Sequence, residues 1–127
     1  MIATSQQPFA PEDIEDRTYC FALRIVKLCL SIERIPGARR TIANQLLRLG
    51  TSVGANIEEA RAASSRADFG SKMSISLREA RETRYWIRLL MDAELIDRKL
   101  LEPLLQEATE IMKICGSITS KVRKRNA

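Results

Sequence analysis

The 127-residue sequence contains no histidine. That absence removes imidazole general bases, histidine-dependent triads and histidine metal sites, including the Glu-x-x-His di-iron motif of ferritin-like bundles. Glycine and proline are scarce, at five and four residues, and leave little material for many turns. Aromatic residues make up only 5% of the chain, which disfavours sheet. No run of about 20 apolar residues exists, so no segment is expected to span a membrane. Met1 to Asp16 is polar and acidic, unlike a secretory leader. The three cysteines, Cys20, Cys29 and Cys115, are an odd number without Cys-x-x-Cys spacing. They read as buried free thiols of a reducing cytoplasm.

What remains is rich in Leu, Ile, Ala, Arg and Glu, with 45% hydrophobic residues and a net charge of +5. A single all-α domain is expected, with residues 1–11 as a flexible arm and 12–127 as one bundle. Four amphipathic stretches follow one another. The first runs from about Glu12 to Arg34, with Glu12, Asp13, Glu15 and Asp16 suited to the positive end of a helix. Tyr19, Ala22, Leu23, Val26, Cys29 and Leu30 share one face of it. Phe21, Ile25, Leu28 and Ile32 carry the apolar surface further round. A helix apolar over more than half its circumference needs more than one neighbour to cover it.

Ile35-Pro36-Gly37 ends that helix, because proline disfavours helix in the residue before it and glycine permits the turn. The second helix covers about Ala38 to Ala63, with Ile42, Leu46, Leu49, Val53, Ile57 and Ala60 along a core stripe. On one flank lie Ala43, Leu47, Gly50 and Gly54. A helical glycine costs about 1 kcal/mol relative to alanine. Two of them four residues apart predict the close approach of another backbone.

The third helix covers about Arg66 to Ala93, with Ser65 as its N-cap. Phe69, Met73, Ser76, Ala80, Thr83, Ile87 and Leu90 form a heptad-like seam. A second row, Ile75, Glu82, Trp86, Leu89 and Ala93, carries the only tryptophan. A monomeric bundle has no use for a second row, so Ile75, Glu82, Trp86 and Leu89 are expected at a subunit interface. The alternative is that Trp86 folds over its own helix pair. The fourth helix extends to about Val122 and starts either at Asp97, with Pro103 kinking it, or at Glu102. Short links between four helices predict an antiparallel up-down-up-down bundle.

The positive charge is uneven. Residues 36–66 carry five basic and two acidic groups, and residues 96–127 carry seven and four. Arg78, Arg81, Arg84 and Arg88 line one side of the third helix, Arg39, Arg40 and Arg48 stand on the second, and Lys121, Arg123, Lys124 and Arg125 close the chain. Guanidinium groups are planar and permanently charged, and so suit phosphate. The competing reading is a solvated or inter-subunit face, with pairs such as Arg78 and Glu82 using up the charge. For the tail, the alternative is a frayed terminus. No aromatic is interleaved with the arginines so as to stack on single-stranded bases, which weighs against a sequence-specific reading. Glu58, Glu59, Glu79 and Glu82 raise a metal or acid–base reading. Without histidine, interhelical polar contacts among Gln45, Ser52, Asn56, Glu59 and Glu79 account better for them. Neither a catalytic residue, a metal site nor a cofactor is expected.

Certain of these residues carry a resemblance. Pro36, Gln45-Leu46-x-Arg48, Ser52-x-x-x-Asn56-Ile57-x-Glu59, Phe69, Ser76 and Glu79 resemble the pattern of the small bacterial proteins called 23S rRNA intervening-sequence proteins. The run Glu79-Ala80-Arg81-Glu82-Thr83-Arg84-Tyr85-Trp86 looks like one branch of that family. Ala60 departs from it, since many members have glycine there. The resemblance implies a four-helix bundle assembled as a ring, a homopentamer. It also implies a link to inserts in ribosomal RNA genes, and a likeness to the accessory subunit of diversity-generating retroelements, which pairs with a reverse transcriptase and nucleic acid. The expected protein is a non-enzymatic, cytoplasmic oligomer that binds RNA or DNA through its basic surface. The alternative is a scaffold or accessory subunit for a protein partner, without nucleic-acid contact.

Overall fold

The computed structural model describes residues 14–126. The expected arm over residues 1–11 lies outside the described residues. Four helices account for the fold: α1 (Ile14–Ile32), α2 (Ala38–Arg61), α3 (Arg66–Asp92) and α4 (Arg98–Asn126). No strand occurs among the described residues.

Local signals set the boundaries. Gly37 precedes α2 at φ 101°, a backbone conformation open to glycine. Ser65 caps α3, its Oγ accepting from the Asp68 backbone N–H at 3.0 Å. Beyond the other end of α3, the Glu94 N–H donates to the Met91 carbonyl and the Leu95 N–H to the Leu90 carbonyl. This is the Schellman pairing, with Glu94 at φ 57° where glycine is usual. The Asp97 carboxylate accepts from the Lys99 N–H at 3.0 Å and opens α4 at the earlier of its two candidate starts. Pro103 therefore lies inside the helix, in its second turn. Both Pro103 and Lys99 are exposed, so water can reach the Lys99 carbonyl that the ring deprives of a donor. At its far end α4 continues past Val122 and takes the basic tail with it as a final helical turn.

Side-chain pairings fix the antiparallel order. Thr18 on α1 meets Gly54 on α2, and Ile25 meets Gly50. Ser52 on α2 meets Glu79 on α3. Arg84 on α3 meets Thr109 on α4, and Gly70 meets Val122. The chain thus runs up, down, up and down. The α1–α2, α2–α3 and α3–α4 seams are broad, whereas α1 and α4 touch far less. A clip spans that thin seam: the Arg17 Nε and Nη2 donate to the two Glu107 carboxylate oxygens at 2.7 and 2.9 Å. The hydrogen bond to Glu107 raises the Arg17 pKa above its ordinary value.

The core is continuous through all four helices, around Phe21, Ile25, Leu46, Val53, Met73, Ile87, Leu101 and Ile111. The expected close backbone is found at Gly54, whereas at Gly50 the near neighbour is a side chain. A Cβ on Gly50 would sit 2.9 Å from two Ile25 carbons, and one on Gly54 would come within 3.3 Å of the Thr18 backbone. On α1, the side bearing Phe21, Ile25, Cys29 and Ile32 turns inward, while Tyr19, Leu23 and Leu30 stay on the outside.

Candidate nucleic-acid interface

The third helix carries its polar groups on two flanks with different fates. Toward α2, they bond to one another. The Ser52 Oγ donates to the Glu79 Oε1 at 2.6 Å, and the Asn56 Nδ2 donates to the same oxygen at 3.1 Å. Asn56 also reaches the Ser52 carbonyl at 3.0 Å. Deeper in the same seam, buried Ser76 donates to the Val53 carbonyl at 2.8 Å. Glu79 thus has hydroxyl and amide donors from a neighbouring helix, the environment of a structural carboxylate.

Two residues grouped with these from the sequence do not join the cluster. Gln45 accepts from the Arg48 Nη2 on its own helix at 2.8 Å, and Glu59 is exposed. The antiparallel register set by Ser52 and Glu79 brings Gln45 level with Trp86. The Trp86 Nε1 is buried and has no hydrogen-bond partner. Its ring packs against the core and meets Tyr85 edge-on, with centroids 5.3 Å apart. Ile75 shares that half-buried row, with Glu82 and Leu89 exposed beside it.

The flank toward α4 is basic. Arg84 is half-buried and held in place, its Nε donating to the Thr109 Oγ1 at 3.0 Å. Thr109 in turn donates to the Leu105 carbonyl. Arg81 and Arg88, three residues before and four after, are exposed. At 1.5 Å rise per residue they stand about 10 Å apart along the helix, with Arg84 between. Among the described residues none of Arg78, Arg81, Arg84 and Arg88 lies within 4.0 Å of a carboxylate oxygen. The ion pairs there are Arg17–Glu107, Arg61–Glu15, Arg98–Asp92 and Lys113–Glu110. The Arg78–Glu82 pairing weighed from the sequence is not among them. An open depression of about 400 Å³ begins at Arg84 and continues past Leu105 and Gln106 to Arg98, with the Glu102 carboxylate also on its wall.

The other basic candidates are spread out. Arg39, Arg40 and Arg48 stand on α2, diagonal to α4 in the bundle. There Arg40 donates to the Glu33 carbonyl at the α1–α2 turn. Lys121, Arg123, Lys124 and Arg125 surround the last turn of α4, beside the start of α3 where Val122 faces Gly70. By helical spacing only Arg123 falls on the flank that bears Thr109. The structure therefore gathers Arg81, Arg84 and Arg88, adds Arg78 at their margin, and leaves the α2 arginines apart.

No group of three or more His, Cys, Asp or Glu side chains gathers as a metal site among the described residues. Cys29 and Cys115 are buried, and burial pushes both thiols up to about 11, away from nucleophilic use. Cys20 is only half-buried, which departs from the expectation of three buried thiols. No helix among the described residues is long and apolar enough to cross a membrane.

The sequence matches the model of the 23S rRNA-intervening sequence protein family over residues 13–117. The chain belongs to that family. A crystal structure from Bacteroides thetaiotaomicron VPI-5482, described as a protein with unknown function from the S23 ribosomal protein family, is similar at 42% identity. The match covers 84% of this chain and 97% of that one, with a TM-score of 0.77. None of the curated proteins is similar in sequence. Membership in the 23S rRNA-intervening sequence protein family accounts for the fold and leaves the chemistry to be argued from the surface.

The expectation that no aromatic stands among the arginines is corrected at Tyr85. Tyr85 is 55% exposed and sits among the arginines, four residues after Arg81 and three before Arg88. Those intervals make neighbours on a helix, so the signal was present in the spacing.

Proposed function

We propose that this protein is a non-enzymatic helical bundle that binds nucleic acid, foremost RNA, through phosphate contacts on the α3 flank facing α4. One observation carries the reading: Arg81, Arg84 and Arg88 stand together without a carboxylate in ion-pairing reach among the described residues. Guanidinium groups in a row without a carboxylate partner offer a polyanion charge-assisted hydrogen bonds, and only the Arg84 Nε is already engaged, by Thr109. The family name supports RNA over other polyanions. The basic last turn of α4 adds charge at one end.

The same reading includes self-association into a ring, a homopentamer in keeping with the resemblance. Tyr19, Leu23 and Leu30 on α1, and Leu89 beside Trp86 on α3, leave large apolar side chains in water in the isolated subunit. That surface also supports the second reading, a scaffold that docks a protein partner.

Filter binding of labelled RNA at low salt, titrated with salt, tests the first reading. Retention that falls steeply with salt is the expected result. No retention of RNA or DNA at low salt sinks it. Light scattering with and without RNA tests the assembly, and a monomer at micromolar concentration refutes the ring.

A further inference from the structure

We infer that Tyr85 is a stacking platform for an unpaired base, so that the arginine flank binds single-stranded nucleic acid in preference to duplex. This rests on the nucleic-acid reading above and names the form of the ligand.

Phosphate contacts alone give no preference for a single strand, because a duplex presents the same diesters at higher linear charge density. A base face distinguishes them, since it is available only where a base is unstacked. Proteins that hold single strands pair a basic track with aromatic rings that accept successive bases. The α3 surface has both parts. Tyr85 is 55% exposed, and its helical neighbours at three and four residues are Arg88 and Arg81. Arg78, seven residues before it, lies almost directly in line along the helix. None of these three pairs with an acid among the described residues.

The ring also has a neighbour packed on the core. Its edge-on contact with Trp86, at an interplanar angle of 82°, ties it to a side chain packed on the core. A tyrosine has only two side-chain torsions to fix on binding, so a stacked base costs it little rotamer freedom. Core packing does not explain a large aromatic side chain at this exposure, and the flanking guanidinium groups would hold the phosphates on either side of a stacked base.

The test measures anisotropy of a short labelled RNA of mixed sequence, single-stranded and annealed to its complement, with the full chain. Four variants separate the contributions: Tyr85→Phe, Tyr85→Trp, Tyr85→Leu and Arg81→Ala. Tyr85→Leu keeps apolar bulk and removes the π face. Wild type should favour the single strand. Tyr85→Leu should weaken single-strand binding at least about fivefold and leave duplex binding unchanged. Tyr85→Phe and Tyr85→Trp should retain the preference, and Arg81→Ala should weaken both ligands. Equal single-strand affinity for wild type and Tyr85→Leu overturns the stacking role while nucleic-acid binding stands. Failure of wild type to bind either RNA overturns both. Melting curves and light scattering on each variant confirm that fold and mass are kept.

Discussion

The two flanks of α3 differ in what they do with their polar groups. Toward α2, Ser52, Asn56 and Glu79 satisfy one another, and Ser76 closes on the Val53 carbonyl. Toward α4, only the Arg84 Nε has an internal partner, Thr109, and the remaining guanidinium groups meet no acid among the described residues. A buried or half-buried polar group must find a partner inside the fold or destabilise it. An exposed charge bears no such requirement and stays available to a ligand. Polarity on the first flank therefore reports on how the helices are joined, and on the second it reports on what the molecule meets.

Charge reversal sets the two flanks apart most sharply. Arg81→Glu, Arg84→Glu and Arg88→Glu combined should lower RNA affinity by about 100-fold or more at low salt and flatten the salt slope by about two. Stability should fall only by about 1 kcal/mol, for the lost Arg84–Thr109 hydrogen bond. On the opposite flank, Glu79→Ala should leave RNA binding unchanged and cost about 1–3 kcal/mol in chemical denaturation, because Ser52 and Asn56 lose their acceptor. If reversal of the three arginines unfolds the chain, or Glu79→Ala abolishes binding, the division between flanks fails.

The core between the flanks gives a pH test. An accessible thiol ionises near 9.0, but Cys29 and Cys115 hold their protons to about 11 when folded. The unfolded chain therefore gives up protons first as pH rises. The thiols' contribution to stability is complete below pH 9 and is lost on the way to pH 11. In denaturation at a series of pH values, replacing both cysteines by alanine should flatten that decline. Thiol labelling of the native protein should modify Cys20 alone. A smaller effect is expected at Glu94, whose φ of 57° strains a side chain that glycine would not carry. Glu94→Gly should gain up to about 1 kcal/mol. The smallest concerns Trp86→Phe. The indole N–H has no partner to lose, so relief of its burial offsets the lost ring area to within about 1 kcal/mol.

Much of the bundle was legible in the residue spacing, and the reasons show in particular places. Phe69 to Leu90 recur at threes and fours because one face must stay buried along the whole helix. Ser65 announced a cap by its chemistry, and Gly50 with Gly54 announced a close neighbour by their cost. Angles around a helix do not report how far across a seam a side chain reaches. Gln45 and Glu59 share a flank with Ser52 and Asn56, yet one bonds to Arg48 and the other stays in solvent. Pro103 was ambiguous because its penalty depends on whether the Lys99 carbonyl can be hydrated. The apolar excess on α1 was visible, but which part turns inward depends on where α2 and α4 stand. On α3, the spacing places Tyr85 beside Arg81 and Arg88, but only its exposure shows that the ring is open to a ligand and not folded onto the bundle.

The bundle is built like a closed book. Its spine is the α2–α3 seam, and α1 is bound to α2 across Gly50, which admits the Ile25 side chain, and Gly54, which admits the Thr18 backbone to within 3.3 Å of a would-be Cβ. The fore-edge, between α1 and α4, is narrower and, among the described residues, carries one clasp of arginine and carboxylate. When thermal motion parts the molecule short of unfolding it, the covers separate there, and amide exchange should quicken first along the two helices that the clasp holds together.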